Sequence, residues 1–149
     1  MNVLVTGATG FLGTHLCSRL INENCNITIL RRSNSDIDLL KELKLNHMIG
    51  DITDEEVVDR SIRNKDVVIH AAAQIGQHSK DVLLKVNIEG THNIVMACKK
   101  YNVKRLLHVS SIASIGIPFS PNSPADETFP FSLEKHCSSY LISKRQSEE

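Results

Sequence analysis

Short apolar runs alternate along the chain with longer stretches of helical period. Val3-Leu4-Val5 is a compact apolar run that ends at a glycine-rich turn, and Phe11, Leu12, Leu16, Leu20 and Ile21 then recur at roughly helical spacing. Ile27 to Leu30 is rich in β-branched residues and reads as a second strand. Asp36 to Leu45 reads as a helix whose apolar face is Ile37, Leu40 and Leu43, and His47-Met48-Ile49 as a third strand. Asp54 is placed to cap a helix carrying Val57, Val58 and Ile62. Val67-Val68-Ile69 is uniformly apolar, as expected of a strand covered on both faces. Asp81 to Tyr101 reads as a long helix, Leu106 to Val109 as a fifth strand, and the segment 117–130, with all four prolines, as a loop. A last helix starts near Ser138. Strands alternating with helices imply βαβ units, hence a parallel sheet with helices on both faces. Ligands of such sheets bind at the carboxyl ends of the strands.

Composition narrows the class without naming a chemistry. The 149 residues fit one domain, 1–149, and 41% hydrophobic with 23% charged residues is the balance of a globular chain. Seventeen basic residues balance seventeen acidic ones, so there is no electrostatic footprint for nucleic acid or an anionic membrane. Cys17, Cys25, Cys98 and Cys137 form no C-x-x-C pair and no zinc spacing; reduced thiols in a cytoplasmic protein are expected. There is no signal-peptide pattern and no apolar run of membrane-spanning length.

The turn after the first strand carries the first chemical signal. Thr6-Gly7-Ala8-Thr9-Gly10-Phe11-Leu12-Gly13 has the spacing G-x-x-G-x-x-G between a strand and a helix. Gly7 would allow the tight turn, Gly10 would let the backbone approach a diphosphate, and Gly13 would let the helix lie close to the sheet. The helix N-terminus would then offer unpaired N–H groups to the anion. A ligand-free glycine loop is the bland alternative, and the flanking strand and helix argue against it.

Thr6 to Gly13 resembles the cofactor loop of the extended short-chain dehydrogenases/reductases, the epimerase/dehydratase group. The resemblance continues in order through Gly50-Asp51-Ile52-Thr53-Asp54, His70-Ala71-Ala72-Ala73, Asn87-Ile88-Glu89-Gly90-Thr91, Val109-Ser110-Ser111 and Tyr140-Leu141-Ile142-Ser143-Lys144. It implies an α/β, Rossmann-type doubly wound parallel sheet of about five strands, ordered 3-2-1-4-5. It implies a nicotinamide dinucleotide held by Gly7, Thr9, Gly10, Phe11, Leu12 and Gly13. It places Asp51 and Ile52 beside the adenine, Ala71, Ala72 and Ala73 along the cofactor backbone, and Asn87 close by. Domains of this kind that use NAD carry an acidic residue at the end of the second strand. Here Arg31 and Arg32 stand there, and a guanidinium suits a 2′-phosphate, so NADP is expected ahead of NAD.

Tyr140 and Lys144 are four residues apart, so a helix puts them on one face. Lys144 would favour the phenolate and make Tyr140 a usable general acid/base. The resemblance adds that Lys144 bonds the nicotinamide ribose and that Ser111, with Ser110 as fallback, orients the substrate oxygen. His70 and His108 read as structural, and His15, His47, His78, His92 and His136 form no metal-binding pattern.

Full-length members of the group continue beyond the lysine helix into a C-terminal substrate domain, absent from this chain. A domain fragment or truncated product, cut soon after the lysine helix begins, is therefore expected. A homodimer is expected of the full-length protein and is doubtful for the chain itself. The activity implied is that of an NAD(P)-dependent oxidoreductase, epimerase or dehydratase acting on a small molecule. Ile115 before Gly116, where sugar-nucleotide epimerases commonly have tyrosine, and Arg31 favour a dihydroflavonol-reductase-like enzyme. A sugar-nucleotide epimerase/dehydratase and a non-catalytic NAD(P)-binding module are the alternatives.

Overall fold

A computed structural model describes residues 1–76, 78–115, 124, 126, 128–129 and 138–149. The first strand, β1 (Asn2–Thr6), is followed by α1 (Phe11–Asn22) and β2 (Asn26–Arg31). Then come β3 (Asn46–Ile49), α2 (Glu55–Ile62), β4 (Val67–His70), α3 (Lys80–Leu84), α4 (Gly90–Lys100), β5 (Arg105–His108) and α5 (Ser139–Glu148). The strands are all parallel and run β3-β2-β1-β4-β5. This is the expected doubly wound sheet in the expected order.

Strand alternation builds two cores. In β1, Val3 and Val5 face one side and Leu4 the other. Val3 and Val5 join Ile27, Ile29 and Ile69 beneath Cys17 of α1. Leu4 joins Leu30 and Val68 beneath Val57, Val58 and Ile62 of α2 and Ile94, Ala97 and Cys98 of α4. Each fully buried valine, leucine or isoleucine contributes about 1.5–3 kcal/mol by leaving water. The Cys17 and Cys98 thiols are pushed up to about 11 by the same burial, so they stay protonated. β5 is the outer strand, with Leu107 half exposed and Leu106 against the α2–α4 core.

Side-chain caps set several helix starts. Asp54 accepts from the Val57 amide, Ser79 from that of Val82, and Ser138 from that of Leu141. After α1, α2 and α4 an asparagine takes the left-handed conformation, Asn24 at φ 57°, Asn64 at 60° and Asn102 at 51°. Asparagine here takes the place that glycine usually has in turning a helix toward the next strand. The recurrence of asparagine just past these three helices is a boundary signal in the sequence itself.

Two elements differ from expectation. Of the helix expected over Asp36–Leu45, only a 3-10 turn at Asp38–Leu40 forms. Leu40 alone is fully buried there and Leu39 is exposed, so too little apolar contact is available to offset helix nucleation. The helix expected over Asp81–Tyr101 starts at Lys80 and is interrupted by a π turn at Lys85–Glu89 between α3 and α4. The extra residue in that turn carries Asn87 into the interior. The loop expected over 117–130 lies largely outside the described residues, as does Cys137. Among the described residues no helix is long and apolar enough to cross a membrane.

Candidate functional site

A cleft of about 490 Å³ opens at the carboxyl ends of β1, β2 and β4. The chain leaves β1 toward β2 and β3, then returns to β4 on the other side, so the cleft lies where the direction of winding reverses. Its wall contains Gly7 to Gly13, Arg31, Arg32, Asp51, Ile52 and Ala71 to Ala73. Every residue expected to touch a cofactor therefore lines it, except Asn87 and Lys144. Ser35, Gly50, Gln74, Ile75 and Val86 line it as well. Gln74 and Ile75 simply continue the alanine segment, so their place on the wall follows from the same strand end.

The glycine turn is built by close approach. Gly7 has φ +72°, and a Cβ there would lie 2.5 Å from the backbone of Ala71 and Ala72. Only glycine lets the turn touch the segment after β4. Gly10, the N-cap of α1, has no side chain to cap the helix, and the first helical amide bond is Thr14 N–H to Gly10 O at 3.0 Å. The amides of Phe11 to Gly13 thus face the cleft end of the helix without helical acceptors. That is an arrangement suited to a diphosphate. A Cβ on Gly13 would clash with Gly7 O and Ala8 Cα, so the missing side chain lets α1 close onto the turn that leaves β1.

At the far rim, the Arg31 Nε–H donates to His47 Nδ1 at 3.0 Å and Nη1 donates to Arg32 O at 3.2 Å. Asp51 Oδ1 accepts both the amide and the hydroxyl of Thr53, each at 2.9 Å, which fixes the loop that carries Ile52. Ile52 in turn packs into the space left by Gly90.

Behind the cleft a buried relay joins β1 to the helices. The Thr91 hydroxyl donates to Asn87 O at 2.6 Å, so Thr91 Oγ1 must accept from His70 Nε2 at 3.0 Å. His70 Nδ1 then accepts the Thr6 hydroxyl at 2.7 Å. Burial, with His108 and Lys144 nearby, drives the His70 ring down to about 3, so it stays neutral. His108 stacks on it at 5.3 Å. Asn87 is buried just behind the cleft wall and does not line the cleft itself. Its Oδ1 accepts the Gln74 amide at 2.7 Å, and its Nδ2 donates to Gln74 O at 3.0 Å and to Ser143 Oγ at 2.9 Å. It ties the cleft wall to α5. Nothing in the sequence around Ser143 marks it as the anchor of that tie.

The Ser111, Tyr140 and Lys144 set comes from two segments that pack together. Lys144 is buried, and its Nζ donates to Val109 O at 3.0 Å, two residues before Ser111. Burial lowers its affinity for the proton, with Glu148 opposing. The Ser111 carbonyl accepts from the Ser114 amide at 2.9 Å and hydroxyl at 2.8 Å, and Ser114 Oγ lies 2.9 Å from Glu148 Oε1. Tyr140, half-buried, lies one turn before Lys144 on the same face of α5. Lysine and serine are thus held on one framework, with the tyrosine one helical turn away.

The chain matches the family model described as the NAD dependent epimerase/dehydratase family over residues 3–149. It is 30% identical to a Synechocystis sp. protein provisionally named dihydroflavonol 4-reductase, over 97% of this chain and 42% of that protein. It is 34% identical to the UDP-glucose 4-epimerase of Bacillus subtilis, over 87% of this chain and 42% of the epimerase. Among solved structures, the Thermus thermophilus UDP-glucose 4-epimerase in complex with NAD superposes with a TM-score of 0.86 at 28% identity. That match covers 99% of this chain and 49% of the epimerase. The chain spans less than half the length of the curated relatives it matches.

Proposed function

Because the chain belongs to the NAD dependent epimerase/dehydratase family, we propose that its cleft binds a nicotinamide dinucleotide. We propose further that it is the cofactor-holding part of a hydride-transferring enzyme. The observation that carries this is the convergence on one cleft of the uncapped start of α1, the Arg31 rim and the alanine segment. The residues present fit such a group. The amides of Phe11 to Gly13 suit the diphosphate, the apolar wall at Ile52 suits the adenine, and Gly10 leaves no side chain between backbone and ligand. A bound nicotinamide supplies hydride exchange with a substrate carbon.

The remaining chemistry belongs to the chain. Tyr140 moves the proton on the substrate oxygen, Ser111 orients that oxygen, and Lys144 holds the ribose and favours the tyrosinate. The bond from Lys144 to Val109 O supports this, since it locks α5 onto the serine segment. Arg31 and Arg32, where an acidic residue would bond a ribose hydroxyl, support NADP over NAD. With Ile115 they favour a reductase of the dihydroflavonol-reductase type acting on a small-molecule carbonyl.

The identity to the Bacillus subtilis epimerase, with the NAD complex of the Thermus thermophilus one, supports a second reading, a sugar-nucleotide epimerase that uses NAD. Titration with NADPH and NADH, followed by nicotinamide fluorescence, separates the two. Tighter NADPH binding is expected, and NADH preference favours the epimerase. Absence of saturable binding by either dinucleotide refutes the assignment of the cleft. In an enzyme that includes the substrate-binding part, replacing Tyr140 by Phe should abolish hydride transfer and leave dinucleotide affinity unchanged.

A further inference from the structure

We propose that His47 is a positioning residue for cofactor choice: it holds the Arg31 guanidinium end-on to the cleft, ready for a phosphate on the adenosine ribose. The inference rests on the reading of the cleft as an NADP site and adds the residue that makes Arg31 effective there.

The two residues come together through strand register. β2 and β3 pair in parallel with Ile29 opposite His47 and Arg31 opposite Ile49. Residues two apart on a strand share a face, so Arg31 and His47 are diagonal neighbours on one side of the sheet. Asn46 fixes this register, since its Nδ2 donates to Asn26 Oδ1 at 2.9 Å and to Ile27 O at 3.2 Å. A slip of one residue would turn His47 to the opposite face.

A guanidinium can only donate, so the 3.0 Å contact from Arg31 Nε requires His47 Nδ1 to accept. His47 is then neutral, with its own proton on Nε2. One Nη1 hydrogen is taken by Arg32 O. Of the five guanidinium hydrogens, this leaves both on Nη2 and one on Nη1 without a partner among the described residues. These three hydrogens are what the guanidinium has left to offer a phosphate, which it can bond through two at once. Arg31 lines the cleft. An unheld arginine would have to give up rotamer freedom on binding, and His47 removes that loss in advance.

The test uses NADPH and NADH titrations of the 149-residue chain and three variants. His47→Phe keeps a ring and removes the acceptor. It should weaken NADPH about three- to tenfold and leave NADH within about twofold. His47→Asn puts an amide oxygen where Nδ1 was and should restore NADPH affinity, which a merely structural role for the ring would not predict. Arg31→Met should lose the preference for NADPH altogether. If Arg31→Met loses it while His47→Phe leaves both affinities unchanged, His47 has no such role and the NADP reading stands. If His47→Phe weakens both dinucleotides equally, the residue is structural and the proposal falls. If Arg31→Met leaves NADPH affinity unchanged, the NADP reading falls and the proposal with it.

Discussion

Replacing His70 by Phe should change not only stability but the way stability depends on pH. The ring is 1% exposed, accepts the Thr6 hydroxyl and donates to Thr91. Phenylalanine fills a similar volume and orphans the Thr6 hydroxyl hydrogen in the interior. Thr91 keeps its bond to Asn87 O. One buried, unsatisfied donor costs about 2 kcal/mol, so the variant should be less stable by about that much at a pH of about 7.5. On acidification the difference should shrink. The folded His70 titrates near 3 against an ordinary value of 6.5. Below pH 6.5 the unfolded chain therefore takes up a proton that the folded one refuses, and stability falls with pH. Each unit is worth about 1.4 kcal/mol once the unfolded ring is mostly protonated, so wild type loses about 2.3 kcal/mol at this site between about pH 6.5 and 4.5. The variant loses none there. The gap of about 2 kcal/mol at about pH 7.5 should thus close by about pH 4.5. Urea unfolding followed by circular dichroism at several pH values measures it. Parallel stability curves for the two proteins across this range would refute the claim that His70 is held neutral by burial.

Gly7→Ala meets both a positive φ and backbone at 2.5 Å, and should lose more than about 2 kcal/mol in urea unfolding. Gly10→Ala meets only Gly7 O, at 3.3 Å. It should change stability by less than about 1 kcal/mol while weakening dinucleotide binding about tenfold in the same titration. Asn87→Leu leaves the Gln74 amide and carbonyl and Ser143 without their partner, and should cost about 3 kcal/mol. Its cleft wall should also open, read as faster amide exchange at Gln74. Ser114→Ala removes the hydroxyl between Ser111 O and Glu148, and should cost about 1 kcal/mol and speed amide exchange at Ser114 and Ile115.

The legible parts of this protein are local. Strands β1, β2 and β4 can be read because each carries a short apolar run. The cap at Asp54 can be read because capping needs only a side chain and an amide three residues on. Asp36 to Leu45 reads as a helix because Ile37, Leu40 and Leu43 have helical spacing. Spacing alone does not say how much apolar surface will cover them, and only the 3-10 turn at Asp38–Leu40 forms. For Gly13 the sequence carries the requirement, no side chain, while its nearest neighbours, Gly7 and Ala8, are set by how tightly the turn folds back. The bonds of Asn87 are not legible, because its partners, Gln74 and Ser143, lie 13 and 56 residues away.

The amino-acid order by itself determined the alternation of strand and helix and the glycine turn after β1, because periodicity, strand ends and helix starts are short-range properties. The other residues that wall the cleft are named through the family resemblance. The tertiary structure decided what those residues do for one another. It made His70 a neutral link in a relay, turned Asn87 inward through a π turn, and set His47 beside Arg31 through the register of β2 and β3. Hydrogen-bond partners across a sheet depend on register and burial, and neither is a property of any stretch of sequence taken alone.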